Sequence, residues 1–270
     1  NYSPSQYGFL KQDYEQDIER LYKEINDFNP NIIITMGGLG LWALTNIDKI
    51  GSYRGALTYS NVGKLNRPYK IMPTYSPFAV LKNYSFRPTV VSDLKKAGQE
   101  STTKDIENTE REIYIEPTYE EVIQFFKECR EENSKDNPLS FDIETASGEI
   151  TCIGFAPSPK RSMVVPFRDI TKKSQAFYDY TTEITIWKEI ADLLQDEKIT
   201  KVAQNQTYDV SWLSYKYGID VAGTVHDTMH AQHSLQPEME KGLGFLGSIY
   251  TNEGAWKNLT SFSKSTKAEE

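Results

Sequence analysis

The chain has 270 residues, 38% of them hydrophobic and 25% charged, with 30 Lys and Arg against 38 Asp and Glu for a net charge of −8. This length allows about two domains, each large enough for its own core, and the apolar content excludes a disordered chain. No apolar run approaches the roughly 20 residues of a membrane span, the first residues lack a signal-peptide pattern, and two cysteines, Cys129 and Cys152, exclude a disulfide scaffold; a cytoplasmic protein is expected.

Ile18, Leu21, Tyr22, Ile25 and Phe28 recur at helical spacing over 13–28, and Pro30 closes that segment. A buried strand is expected at 31–36, followed by a Gly37-Gly38-Leu39-Gly40 turn and a short helix through Leu44. The glycines are better read as close packing of helix on strand than as a phosphate cradle. A further strand is expected at 69–74 and a helix from Pro88 to Lys96. The polar run 98–112, GQESTTKDIENTERE, reads as an interdomain linker. Next come a strand at 113–115 and a helix whose start carries Thr118 and Glu121 at capping-box spacing. Three successive strands, 139–145, 149–155 and 162–167, open a mixed sheet. Helices near 182–195 and 207–217 flank a strand at 199–203, Gly218 stops the second of them, and 227–250 reads as helical. The final residues, 257–270, are polar and unanchored.

Charge is unevenly spread. Between 49 and 96, nine basic residues face one acid, Asp93, with tyrosines and phenylalanines interleaved. Cations for phosphates and rings for bases suit a nucleic-acid surface; a solvated face over core aromatics gives the same composition. Lys64, Arg67 and Lys70 are the candidate DNA contacts.

The strongest chemical signal is Phe141-Asp142-Ile143-Glu144-Thr145. Alternation along a strand sends Asp142 and Glu144 to one face while Phe141 and Ile143 anchor the other. Paired carboxylates repel and resist desolvation, so a bound divalent cation or a shared proton is expected there. Asn205-Gln206-Thr207-Tyr208-Asp209, where a strand feeds a helix, offers a third carboxylate. His226, His230 and His233 lack a cysteine partner and read as structural, and Asp227 as the cap of the helix it begins.

Asp142 and Glu144 as D-x-E, then Asn205 and Asp209 as N-x-x-x-D, resemble the first two motifs of the proofreading 3′–5′ exonuclease domains of family A DNA polymerases, in the ribonuclease H-like DnaQ superfamily. His226-Asp227-Thr228-Met229, Pro237 and Gly242 to Leu246 also look like the stretch after the second motif. The resemblance implies two Mg²⁺ or Mn²⁺ ions held chiefly by Asp142 and Glu144, with Asp209 supporting the second directly or through water, hydrolysis of the 3′-terminal phosphodiester of single-stranded DNA, and for Asn205 an orienting role toward substrate or a neighbouring side chain. The family's third motif, Tyr or His four positions before Asp, is absent after residue 245. The chain is therefore expected to be a fragment ending before that motif, with a phage-type polymerase domain beyond it in the same parent chain, and to turn over weakly or not at all.

Asn29 to Gly37, Ala43-Leu44-Thr45, Arg54-Gly55 and Pro73 to Pro77 look like the later half of a family 4 type uracil-DNA glycosylase, with Ser76 where that family has histidine. The expected architecture is α/β in two domains: a glycosylase-like parallel-sheet module over 1–97, with activity lost or degenerate, a linker over 98–111, and a ribonuclease H-like mixed-sheet exonuclease over 112–270. The alternatives are a non-catalytic DNA-binding or polymerase-docking module and, behind it, a working uracil glycosylase.

Overall fold

The computed structural model describes residues 12–107, 109–169 and 175–256, in two compact units. One unit holds the described residues before Thr109 together with those from Gln236 onward; the other runs from Thr109 to Leu235. The expected tail, 257–270, lies outside the described residues.

In the first unit, helix α1 (Gln12–Phe28) turns Leu21, Tyr22 and Ile25 onto Leu44, Tyr69 and Ile71. Phe28, expected on that apolar stripe, is instead solvent-facing. Strand β1 (Ile32–Met36) leads through Gly37 into α2 (Gly38–Thr45), and α3 (Ile50–Tyr53) precedes the two-residue β2 (Thr58–Tyr59) and the wholly buried β3 (Lys70–Thr74). The strand order is β1-β3-β2: β1 runs parallel to β3, but β2 is antiparallel, so the sheet is mixed rather than the expected parallel one. Helix α4 (Pro77–Lys82), a 3₁₀ turn at Tyr84–Phe86 and α5 (Arg87–Glu100) follow.

The linker expected from residue 98 is partly absorbed into this unit. Helix α5 continues to Glu100, and the Lys70 ammonium donates to Glu100 Oε2, Thr103 Oγ1 and the Asp105 carbonyl. A fully buried cation has recruited polar residues that look unanchored in one dimension.

The second unit is a six-stranded mixed sheet. Strand β4 (Glu112–Tyr114) and helix α6 (Tyr119–Glu132), with the Thr118–Glu121 capping box in place, precede the meander β5 (Leu139–Ala146), β6 (Glu149–Ser158) and β7 (Arg161–Pro166). A small ribbon, β8 (Arg168–Asp169) with β9 (Gln175–Ala176), leads to α7 (Tyr180–Leu194). Then come β10 (Lys201–Ala203), α8 (Gln206–Tyr217), β11 (Val225–Asp227) and α9 (Thr228–Leu235). The order β11-β10-β5-β6-β7-β4 places β5 inside, antiparallel to β6 and parallel to β10. Val122, Phe126, Phe141, Ile143, Ile153, Phe155, Ile190 and Leu213 share one continuous core. The helical reading of 227–250 divides in two: α9 ends before Pro237, and α10 (Leu243–Tyr250) belongs to the first unit.

Candidate active site

Strand β5 presents its residues as alternation requires: Leu139, Phe141 and Ile143 are buried, Asp142 and Glu144 exposed. The apolar side anchors the strand in the core, so both carboxylates stand on the opposite face. A register shift between Glu144 and Thr145 breaks the ladder with β6 just past the pair. Such irregularities re-aim side chains at strand ends.

The third carboxylate comes from α8. Because β10 lies beside β5 in parallel, with Lys201 opposite Leu139 and Val202 opposite Ser140, the helix that follows it starts beside the acidic end of β5. Asp209, one turn in, is 3% exposed, and its Oδ1 accepts the Ile143 amide at 3.1 Å, between Asp142 and Glu144 along the strand. Burial pushes its carboxyl up to about 6; the Ile143 amide opposes, and the charges of Asp142 and Glu144 add to the rise. Three acids from two sequence regions thus share one electrostatic neighbourhood. Among the described residues, no three acidic, histidine or cysteine side chains stand in a finished metal-binding arrangement. The donor chemistry nonetheless fits a hard divalent cation: carboxylate oxygens only, with the charges of Asp142 and Glu144 both bearing on Asp209.

Asn205, exposed, takes the left-handed conformation (φ 59°, ψ 46°) that turns β10 into α8. Asp227, at the end of β11, holds that turn. Its Oδ1 accepts the Asn205 amide at 3.1 Å and its Oδ2 the Gln206 amide at 2.9 Å, while Oδ1 also accepts Met229 at 2.8 Å and His230 at 3.4 Å. The expected capping role is present, and the clamp on the β10–α8 turn was missed. A second tie also escaped the sequence reading: the Tyr208 hydroxyl lies 2.6 Å from Thr145 Oγ1, joining α8 to the far end of β5. Tyr208 directly precedes Asp209, which is the signal that could have found it. His226 precedes α9, and His230 and His233 are exposed on it.

Of the expected DNA-contacting cations, Lys70 and Arg67 need correction. Lys70 has no exposed surface, and its ammonium protons are spent on Glu100, Thr103 and Asp105. Arg67 donates to Asn29 Oδ1, the Pro30 carbonyl and the Pro68 carbonyl while its guanidinium lies 4.1 Å over the Tyr69 ring, so it fastens the entry to β1. Lys64 is exposed but paired with Glu19. Composition cannot separate a cation aimed at solvent from one folded inward. Ser76 caps α4, accepting the Ala79 amide at 3.2 Å.

Residues 112–267 match the model of the 3′–5′ exonuclease family. A DNA polymerase of Bacillus phage SP01 is 26% identical over 239 residues, covering 80% of this chain and 25% of that protein. The chain thus spans a quarter of that relative's length, and the alignment extends beyond the family match. Among solved structures, the EXD2 exonuclease domain soaked in Mn and GMP aligns with a TM-score of 0.34 at 18% identity, covering 51% of this chain and 68% of that one. The Aedes aegypti Nibbler EXO domain aligns at 0.39 and 13%, covering 53% and 69%. With more than half of its length inside the family match, and both motif acids and the Asn205–Asp209 turn within it, the chain belongs to the 3′–5′ exonuclease family.

Proposed function

We propose that the second unit removes nucleotides from the 3′ end of single-stranded DNA, proofreading for a polymerase domain of the same parent chain. Asp142, Glu144 and Asp209 would hold two Mg²⁺ or Mn²⁺ ions. The observation that carries this reading is the Asp209 carboxylate accepting the Ile143 amide, between the two exposed acids of β5. When bound, such ions supply Lewis-acid activation of water and charge stabilisation at the departing 3′ oxygen. The chain's own residues do the positioning. The core under Phe141 and Ile143 fixes the strand, Asp227 fixes the turn that aims α8, and Tyr208 with Thr145 closes the helix onto the strand end. Asn205, exposed at the head of that turn, would orient the substrate strand. The phage polymerase match, reaching past the exonuclease residues, supports a polymerase setting.

Incubating the chain with 3′-labelled single-stranded DNA and Mg²⁺ or Mn²⁺ is expected to give a slow ladder of shortened products, in keeping with the weak turnover expected without the third motif. Asp142→Ala should slow it by at least about a hundred-fold, and Mn²⁺ binding followed by electron paramagnetic resonance should weaken in the same variant. No ladder, together with Mn²⁺ binding indifferent to Asp142→Ala and Glu144→Ala, would sink the reading.

For the first unit we propose a glycosylase-like ancestry without base excision. A strand–Gly37 turn–helix opening and the Ser76-Pro77 corner support it, and a neutral hydroxyl already engaged in capping α4 serves a departing anion poorly. Release of uracil from a uracil-containing oligonucleotide would refute the loss of activity.

A further inference from the structure

The first unit carries an exposed surface that neither the carboxylate centre nor the basic residues discussed above account for. Over Phe78 to Arg87, three large apolar side chains face solvent: Phe78 is 64% exposed, Leu81 84% and Tyr84 71%. Each ring has a cation on it, with Lys82 Nζ 4.6 Å from the Phe78 centroid and Arg87 Cζ 5.9 Å from that of Tyr84. The backbone beneath is fixed at both ends. Ser76 caps α4, Asn83 Oδ1 accepts the Ser85 amide and hydroxyl at 3.2 and 2.7 Å, and Phe86 stacks on Tyr75 at 4.4 Å. Solvent-facing rings on a rigid support are costly unless something covers them.

Charge decides what covers them. No acidic residue occurs from 49 to 92 in a chain of net charge −8, and Asp93, the next acid, is buried against Arg54. We propose that the Phe78–Arg87 segment is a stacking platform for single-stranded nucleic acid: bases lie on Phe78 and Tyr84, Leu81 packs between them, and Lys82 and Arg87 meet the flanking phosphates. A single strand is the fitting partner because only unpaired bases offer their faces to side chains. The surface takes the place of Lys64, Arg67 and Lys70 as the DNA contact of this unit and does not depend on the exonuclease reading.

The test is fluorescence anisotropy of a labelled oligothymidylate with the whole chain in EDTA, where no hydrolysis interferes. Phe78→Ala with Tyr84→Ala should weaken binding by about ten-fold or more. Lys82→Gln with Arg87→Gln should lower the slope of log affinity against log salt by roughly 1.4, as two phosphate contacts on a single strand require. Duplex of the same length should bind at least about ten-fold more weakly. Should either pair lower the melting temperature, Leu81→Asp, at the most exposed position, tests the same surface. Affinity within about two-fold of the unaltered chain in these variants, or duplex bound as well as single strand, overturns the platform and leaves the patch to a protein partner.

Discussion

Asp227 shows how much one buried carboxylate can organise. Burial works against its charge, yet four backbone amides, from Gln206, Asn205, Met229 and His230, hold its pKa below the ordinary aspartate value. A depressed folded-state value means that its contribution to stability is complete above about pH 4 and is lost as pH falls through the folded value. Asp227→Asn should cost about 1–3 kcal/mol at pH 7, since an amide nitrogen then faces donors, and the difference from the unaltered chain should shrink toward pH 3. Urea unfolding at the two pH values measures both; a difference independent of pH would refute the assignment. Asp142 and Glu144 were legible because alternation is local. The reach of Asp227 to Asn205 and Gln206 was not, because it spans more than 20 positions and depends on β11 lying beside β10.

The β10–turn–α8 element has one backbone demand, the left-handed conformation at Asn205. Asparagine tolerates that region better than most side chains, and glycine better still. Asn205→Gly should therefore fold with stability within about 1 kcal/mol of the parent, whereas Asn205→Val should lose about 1–2 kcal/mol. If the side chain orients substrate, the glycine variant will bind a 3′ end less well or cleave it more slowly despite its intact fold. Melting curves beside nuclease assays separate the two effects, and full activity in the glycine variant would remove Asn205 from the site. Strands β5 to β7 and the capping box of α6 declare themselves through local period and spacing. Residues 101–107 do not, since their partners are distant in sequence: Lys70 donates to Thr103 and to the Asp105 carbonyl, Asn31 donates to the Ser101 carbonyl, and the Tyr59 hydroxyl accepts the Ile106 amide.

Across the molecule, sequence kinship and folding units part company near Gln236: the family match continues to 267, but the described residues from Gln236, 236–256, pack with the first unit. Lys96 makes that attachment. Its ammonium donates to the carbonyls of Gly55 and Ser248, both at 2.9 Å, and of Thr251 at 2.5 Å. Beside it, Arg54 pairs with Asp93 and lies 4.6 Å from the Phe245 ring. The approach is tight: Gly55 has φ +72°, and a methyl group there would sit 2.7 Å from Asp93 Oδ1. Ending the chain after Leu235 should destabilise the first unit by about 2–3 kcal/mol through two lost acceptors, visible as a lower melting transition; with Lys96 left the Gly55 carbonyl alone, Lys96→Met shifts that transition less than it shifts that of the long chain. Equal melting of the long and short chains would contradict this. Lys96 also bears on how the protein is cut for the bench. Excising the nuclease at its sequence match, from residue 112 onward, would carry along a segment that belongs to the other unit, with the buried Met239 and Leu246 on it. The compact unit that carries the three acids ends at Leu235, and a cut there keeps its fold intact.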